Sequence, residues 1–191
     1  FTGALACTGN TKTSPVGDDY DITQGTLALK DKDDFRAGNY NLTFTGNKFS
    51  VTESDALQLT ADGETVTYDG TSHSGVVTTS GVGEGVSITL TYKYDENGTE
   101  KNLTTQPSIT DVGTQTVQVT AAATGYKSVI KSYTVTVNPA PIEVKALDTS
   151  KTYGAADPKT FEYTVTTGAV NNETAKFTGN LEREIGEEAG K

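Results

Sequence analysis

The chain has 191 residues, of which 34% are apolar and 8% aromatic, so it can build small cores but not one deep core. Its formal net charge is −10 and its pI is near 4.5, which argues against nucleic acid and anionic membrane surfaces as partners. Cys7 is the single cysteine, so no disulfide can form within the chain.

Short strands are predicted along the whole chain, where apolar residues alternate with polar ones. The alternating segments, in chain order, are residues 41–52, 87–94, 115–120 and 132–138. Within 87–94 the apolar residues fall on one face and the polar residues on the other, a period of two that is typical of a half-buried strand. Asn97-Gly98 follows and predicts a tight hairpin turn. With no helical period of any length, the sequence predicts an all-β fold.

Three internal repeats set the predicted domain organisation. They match Gly38-Asn39-Tyr40 with Thr124-Gly125-Tyr126, Thr67-Tyr68-Asp69-Gly70 with Thr152-Tyr153-Gly154, and Phe1-Thr2-Gly3-Ala4-Leu5 with Phe177-Thr178-Gly179-Asn180-Leu181. On these matches, residues 54–139 form a complete repeat, residues 1–53 the C-terminal half of a repeat, and residues 140–191 the N-terminal half of the next one. The two terminal pieces are therefore expected to be complementary halves of one kind of module.

Residues capable of chemistry are few and scattered. His73 is the only histidine and follows a turn, which favours a structural role over a catalytic one, and with Cys7 it cannot make up a four-ligand zinc site. The acidic stretch Asp31–Asp34 could offer oxygens to Ca²⁺, but it lacks the spacing of an EF-hand and is interpreted as a solvated loop. Four glycosylation sequons begin at Asn41, Asn97, Asn102 and Asn172 and are attributed to composition. No catalytic, cofactor-binding or metal-binding residues are predicted, no cofactor is expected, and the chain is not expected to be an enzyme.

One series of motifs resembles the MBG repeats, a mostly bacterial, immunoglobulin-like class with a Tyr-Gly signature. The series consists of Val137–Ile142 with its two prolines, Lys151-Thr152-Tyr153-Gly154, Asp157-Pro158, Phe177-Thr178-Gly179 and Gly186-Glu187, and, in the first piece, Asp18–Ile22, Gly25–Leu27 and Gly38–Tyr40. The segment that contains Tyr68-Asp69-Gly70 resembles a related repeat of bacterial surface proteins. Residues 7–16 depart from the pattern as a longer insertion.

The resemblance implies tandem immunoglobulin-like antiparallel β-sandwich modules in a large exported protein of the cell surface or cell wall, with no catalytic residues to transfer. The expected function is a structural stalk that projects distal domains. The alternative is an adhesin module that binds host glycan or protein, and an accessory module of a secreted hydrolase is a third possibility. The expected partners are a host glycan or protein, or the chain itself, through strand complementation between the terminal halves, across chains rather than within one. The rival expectation is that each terminal piece closes on its own. Neither nucleic acid nor membrane insertion is expected.

Overall fold

A computed structural model describes residues 1–8, 11, 14–184 and 186, and this part of the chain is built almost entirely of β-strands. Its strands are β1 (Ala6–Cys7), β2 (Gly17–Thr23), β3 (Asn47–Val51), β4 (Gln58–Asp62), β5 (Glu64–Thr67), β6 (Val76–Ser80), β7 (Ile88–Glu96), β8 (Thr99–Leu103), β9 (Gly113–Ala123), β10 (Val129–Asn138), β11 (Glu143–Ala146) and β12 (Tyr163–Thr167). A single 3-10 turn, Ala37–Asn39, interrupts the pattern within the described residues. The predicted all-β class is confirmed. No helix among the described residues is long and apolar enough to cross a membrane.

The strands pair into four sheets with orders β1-β2-β3, β5-β10-β9-β7-β8, β4-β6 and β11-β12. The pairs β1–β2, β2–β3, β7–β8 and β11–β12 are antiparallel, whereas β5 pairs with β10 in parallel. The chain divides into two compact units: Phe1–Thr60 with Thr78–Thr91 and Val119–Lys131, and Ala61–Val77 with Tyr92–Gln118 and Ser132–Lys191. The division into repeats at 1–53, 54–139 and 140–191 stays a prediction.

The first unit combines the β1–β3 sheet with a small apolar cluster. Leu57, Leu59, Val119 and Ala121 are its buried apolar side chains, and all four come from the segment that follows residue 53. Tyr126 anchors a loop here, because its hydroxyl accepts the Gly83 N–H at 2.8 Å. None of the described residues of 1–53 is buried.

The second unit holds the parallel pair β5–β10 and the β7–β8 hairpin. Its buried apolar side chains are Tyr92, Val117, Tyr133, Val135 and Val137. Gly63 separates β4 from β5, and a Cβ at Gly63 would collide with the backbone of Thr134. Only glycine lets the chain approach β10 this closely, and β5 then continues in register, with Val66 opposite Val137. The strand is therefore able to leave the β4–β6 sheet and join the five-stranded one.

Local patterns in the central segment predicted the strands well. Residues 88–94, 115–120 and 132–138 all lie in strands, and only Ser87 of the predicted segments falls just outside. Strand β7 alternates between partly buried or buried and exposed side chains from Ile88 to Tyr94, as its period of two indicates. The Asn97-Gly98 hairpin is confirmed, with both residues at positive φ and the Gly98 N–H donated to the Asp95 carboxylate at 2.8 Å.

The first piece differs from its predicted pattern. Of residues 41–52, only Asn47–Val51 form a strand, so Leu42 and Phe44 lie outside any regular pairing. The turn matched with Gly125 is the 3-10 turn at Ala37–Asn39. The physical reason is pairing: β2 ends at Thr23 and its register with β3 ends at Ile22 and Asn47, so the residues of this segment before Asn47 have no partner strand.

Truncating Leu59, which is 5% exposed on β4, to alanine should destabilise the fold by about 2–5 kcal/mol, because the cavity adds to the lost burial. Ile130→Ala removes a similar volume from a side chain that is 55% exposed on β10 and should change stability by less than about 0.5 kcal/mol. Urea unfolding followed by circular dichroism checks both. Equal losses in the two variants would contradict the assignment of Leu59 to the core.

Candidate interaction surfaces

Strands β11 and β12, here called the C-terminal ribbon, present one apolar face. Val144 lies opposite Val165 and Ala146 opposite Tyr163, so these four side chains share a face. Val144, Val165 and Tyr163 are nevertheless 47%, 43% and 42% exposed. Lys145 and Thr164 occupy the opposite face. The ribbon is thus amphipathic, and its apolar side is partly covered, in part by Phe177, whose ring meets that of Tyr163 edge-on with centroids 5.6 Å apart.

The sheet β1-β2-β3 is here called the N-terminal sheet. Its strands β2 and β3 also have one apolar face and one polar face. Tyr20 lies opposite Phe49, and the two rings are 6.5 Å apart between centroids. On the other face Asp21 pairs with Lys48 at 2.9 Å between carboxylate and ammonium. Phe49 is 39% exposed, so this apolar face is only partly covered.

A groove of about 490 Å³ opens at the end of β2 where β3 begins. Its lining residues are Asp21, Ile22, Thr23, Gln24, Phe44, Gly46, Asn47 and Lys48. Two of these side chains, Ile22 and Phe44, are large and apolar, and the others are mostly polar. Such a lining suits a ligand with both apolar and hydrogen-bonding groups.

Phe35 and Tyr40 form a stacked aromatic pair, with centroids 4.8 Å apart and rings inclined by 14°. Tyr40 is 62% exposed, so its ring is open to solvent. The loop before the stack is held by Asp31, whose carboxylate accepts the Ala37 N–H at 2.7 Å, and by Arg36, which donates to the Asp33 carbonyl at 2.7 Å. Sequence reasoning missed this pair, although two aromatic residues flanking Gly38-Asn39 were a usable signal.

The Asp31–Asp34 stretch, taken from the sequence as a solvated loop, is exposed throughout. The Asp31 carboxylate is hydrogen-bonded to the backbone of the same loop and does not converge with the other carboxylates. Within the part of the chain that the structure describes, no group of three or more His, Cys, Asp or Glu side chains could hold a metal ion. Cys7 is half-buried on β1, opposite Ile22, as expected for a small packed side chain.

His73 lies between two carboxylates in the loop that follows β5. Its Nε2 is 3.0 Å from Asp69 and its Nδ1 is 3.5 Å from Glu64, with 15% of the side chain exposed. The hydrogen bond with Asp69 raises the pKa of His73, and the charges of Asp69 and Glu64 add to this effect, while partial burial opposes it. Hydrogen bonds from the Thr71 hydroxyl and N–H, followed by that from His73, lower the pKa of Asp69 to about 2.

The backbone of His73 also exchanges both hydrogen bonds with Ile109, at 2.9 Å each. The ring and the backbone therefore fasten this loop together. The Nε2 of His73 is also 3.4 Å from the Thr71 hydroxyl, so the ring lies in a small polar cluster.

The same loop contacts residues 171–173 beyond the proline link. The Tyr68 hydroxyl donates to Glu173 at 2.5 Å, which raises the pKa of Tyr68, and the Asn171 side chain donates to the Gly70 carbonyl at 3.3 Å. The Tyr68-Asp69-Gly70 motif therefore makes the contacts of a junction. No local signal in the sequence pointed to Glu173, because the two partners are 105 positions apart.

Farther along, Asp157 accepts two hydrogen bonds from Arg183, at 2.9 and 3.0 Å, and an ion pair from Lys151 at 2.5 Å. These partners, Arg183 first, lower the pKa of Asp157. The cluster ties the Lys151 and Asp157 motifs of the C-terminal piece to Arg183. It is a structural fastening, since the carboxylate is already occupied by cations.

Comparison with known families identifies the C-terminal piece. Residues 142–191 match the model of the MBG domain (YGX type), which confirms the resemblance for that segment. MBG domains are a non-enzymatic repeat family and are typical of cell-surface proteins. Searches of curated proteins and of solved structures found no match to the chain.

Replacing His73 with glutamine should make the thermal stability of the chain less dependent on pH. Because the folded pKa of His73 is raised, its stabilising effect is fully present below the unfolded value of about 6.5 and is lost as the pH rises through the folded value. The melting temperature of the wild type should therefore exceed that of His73→Gln more at pH 5.5 than at pH 9. Asp69 stays ionised over this range, because its pKa is about 2. A difference between the two proteins that is constant across the range would contradict this role.

Proposed function

We propose that the chain is a non-catalytic stalk segment of a repetitive bacterial cell-surface protein and projects distal domains from the cell. The observation that carries the proposal is the MBG match at residues 142–191, directly after a compact β-structured segment. A tandem arrangement of autonomous β-modules with short links suits an extended extracellular spacer.

The junction between the two segments supports this role. Pro139-Ala140-Pro141 restricts the backbone where the central segment ends. On either side of the link, Tyr68 reaches Glu173 and Asn171 reaches Gly70. A link that is stiffened by proline and held by side-chain hydrogen bonds limits bending between the two segments. A stalk requires this stiffness.

The parallel pairing of β5 with β10 also suits a protein under tension. Glu64–Thr67 lie in register with Val135–Asn138, close to the two ends of the central segment. A force that pulls these two ends apart would act parallel to β5 and β10. It would therefore shear the hydrogen bonds between the two strands. Several hydrogen bonds would then have to break together rather than one after another, which raises the force needed to unfold the segment.

The alternative role, an adhesin module, is favoured by the Phe35–Tyr40 stack. An exposed aromatic face can pack against the apolar face of a sugar ring. The nearby Asp31 and Arg36 side chains, however, are engaged with backbone atoms of the same loop. The stack therefore offers an exposed aromatic surface, while the nearby charged side chains are already hydrogen-bonded within the loop.

Val66→Pro tests the stalk role. Hydrogen bonds of a parallel pair recur at every second residue, and the Tyr68 N–H donates to the Asn138 carbonyl at 2.7 Å, so the Val66 N–H is the preceding donor. In single-molecule pulling of tandem copies, the central segment should unfold at a distinct force that Val66→Pro lowers. Leu59→Ala is the control, since it weakens the core and leaves this donor in place. Unfolding without a resolved force in the wild type would contradict the stalk role.

Tyr40→Ala tests the adhesin role on a glycan array. If the stack binds sugar, the wild type should bind a set of glycans and Tyr40→Ala should lose about tenfold or more in affinity, in line with about 1.4 kcal/mol for an aromatic contact. Tyr153→Ala is the matched control, because Tyr153 is 76% exposed and lies in the other terminal piece. Equal binding by both variants would remove the stack from consideration.

A further inference from the structure

The loop that follows β5, residues 68–73 and here called the junction loop, packs closely against Asn171 beyond the proline link. Gly70 has a φ of 76°, a left-handed conformation that favours glycine, and a Cβ at this position would lie 2.5 Å from the Cβ of Asn171. The Asn171 side chain also donates a hydrogen bond to the Gly70 carbonyl at 3.3 Å. Glycine is therefore needed here both for the turn and for the close approach.

A second contact lies two positions earlier in the junction loop, where the Tyr68 hydroxyl donates a hydrogen bond to Glu173 at 2.5 Å. Tyr68 and Gly70, which make the two contacts, are the chain neighbours of Asp69. The Asp69 carboxylate lies 3.0 Å from the Nε2 of His73. An interaction that fixes the position of Asp69 therefore also fixes both contacts with the segment beyond the link.

Each of the two ring nitrogens of His73 faces a carboxylate. Its Nε2 is 3.0 Å from Asp69 and its Nδ1 is 3.5 Å from Glu64 of β5, with 15% of the side chain exposed. A protonated imidazole carries a proton on both nitrogens, whereas a neutral one carries a single proton and turns a lone pair toward the other carboxylate. Only the protonated ring can therefore bond to both carboxylates at once and hold the junction loop to β5.

We propose that protonation of His73 controls how firmly the junction loop holds residues 171–173, so that the proline link becomes more flexible as the pH rises and the ring loses its charge. The protonated ring ties Asp69 to Glu64 and keeps both contacts in place. The neutral ring leaves one of these carboxylates without its donor, and the two negative charges then repel each other with no cation between them. This regulation rests on the proposed stalk role for its purpose, whereas the coupling itself is a property of the junction.

The charges around the ring favour its protonated form. The hydrogen bond with Asp69 raises the pKa of His73 most, and the charges of Asp69 and of the β5 carboxylate add to this effect, against partial burial. The segments packed on the junction loop contribute Asp111 and Glu173, which act on the neighbouring Tyr68: the hydrogen bond to Glu173, followed by burial and the charges of Glu173 and Asp111, raises the pKa of Tyr68. The Tyr68 hydroxyl thus keeps its proton near neutral pH, where the histidine changes charge.

An NMR titration of the 191-residue chain tests the coupling. The ring protons of His73 should follow one titration curve with a midpoint above about 6.5, and the side-chain amide of Asn171 and the backbone amide of Glu173 should shift with the same midpoint. In His73→Gln, whose side chain is uncharged at every pH, both amide signals should stay constant from pH 5.5 to pH 9, near the wild-type positions at high pH. A ring that titrates while both amide signals stay constant in the wild type overturns the proposal.

Gly70→Ala breaks the contact without altering the ring, and Gly98→Ala is its matched control. Both glycines have positive φ, 76° and 79°, but a Cβ at Gly98 meets nothing within 4 Å, whereas one at Gly70 collides with Asn171. In Gly70→Ala the Asn171 amide should lose its pH response while His73 still titrates, and in Gly98→Ala the response should be retained. An unchanged signal from Val117 in the core checks that each variant is folded. An Asn171 amide that still follows His73 in Gly70→Ala overturns the proposal.

The flexibility of the link is measured separately, by the distance between spin labels on Gln118→Cys and Thr164→Cys in a Cys7→Ser background. Both labelled positions are exposed, and Cys7 is replaced because it would also react with the label. The distance distribution should be broader at pH 9 than at pH 5.5, and equally broad at both pH values after His73→Gln. A width that does not change with pH overturns the proposal.

The two proposals fail separately. Coupled amide signals in a chain whose central segment unfolds without a resolved force would remove the stalk role and support the coupling. A resolved unfolding force together with amide signals that ignore His73 would support the stalk role and overturn the coupling.

Discussion

An amphipathic sheet is stable in water only when something covers its apolar face, and this requirement divides the molecule into parts that meet it and parts that do not. In the central segment the requirement is met, since Val117, Val119, Val135 and Val137 are almost fully buried. In the terminal pieces the same alternation of residues leaves Val144, Val165 and Phe49 substantially exposed. Burial of a valine or leucine side chain contributes roughly 1.5–3 kcal/mol, so the difference decides which strands are held firmly.

The same requirement explains which parts of the fold could be predicted from the sequence. Strands such as β7 and β10 were predictable because a strict period of two coincides with real burial. The segment around Leu42 and Phe44 has a similar pattern but no partner strand, because the pairing of β2 with β3 ends at Ile22 and Asn47, and it is not a strand. The parallel pairing of β5 with β10 was not predictable, because partners about 70 positions apart leave no local signal and the close approach at Gly63 is a property of the fold.

The candidate surfaces were predictable to a smaller extent. Repeats in the sequence predict that the terminal pieces are complementary, and the structure shows an apolar and a polar face on the strands of each. The Phe35–Tyr40 stack and the Tyr68–Glu173 hydrogen bond came only from the structure, since each depends on how a loop turns. His73 illustrates the opposite case: a lone histidine after a turn was interpreted as structural, and its place between Asp69 and Glu64 fits that interpretation.

The hairpin tip at Asn97-Gly98 has a consequence for the chemical lifetime of the chain. An asparagine followed by glycine is prone to deamidation, in which the glycine nitrogen attacks the asparagine side-chain amide and ammonia is lost. Here the Gly98 N–H is donated to Asp95 at 2.8 Å, so the nitrogen must leave that hydrogen bond before it can react. The hydrogen bond to Asp95 therefore slows deamidation of Asn97 at the exposed turn of the β7–β8 hairpin.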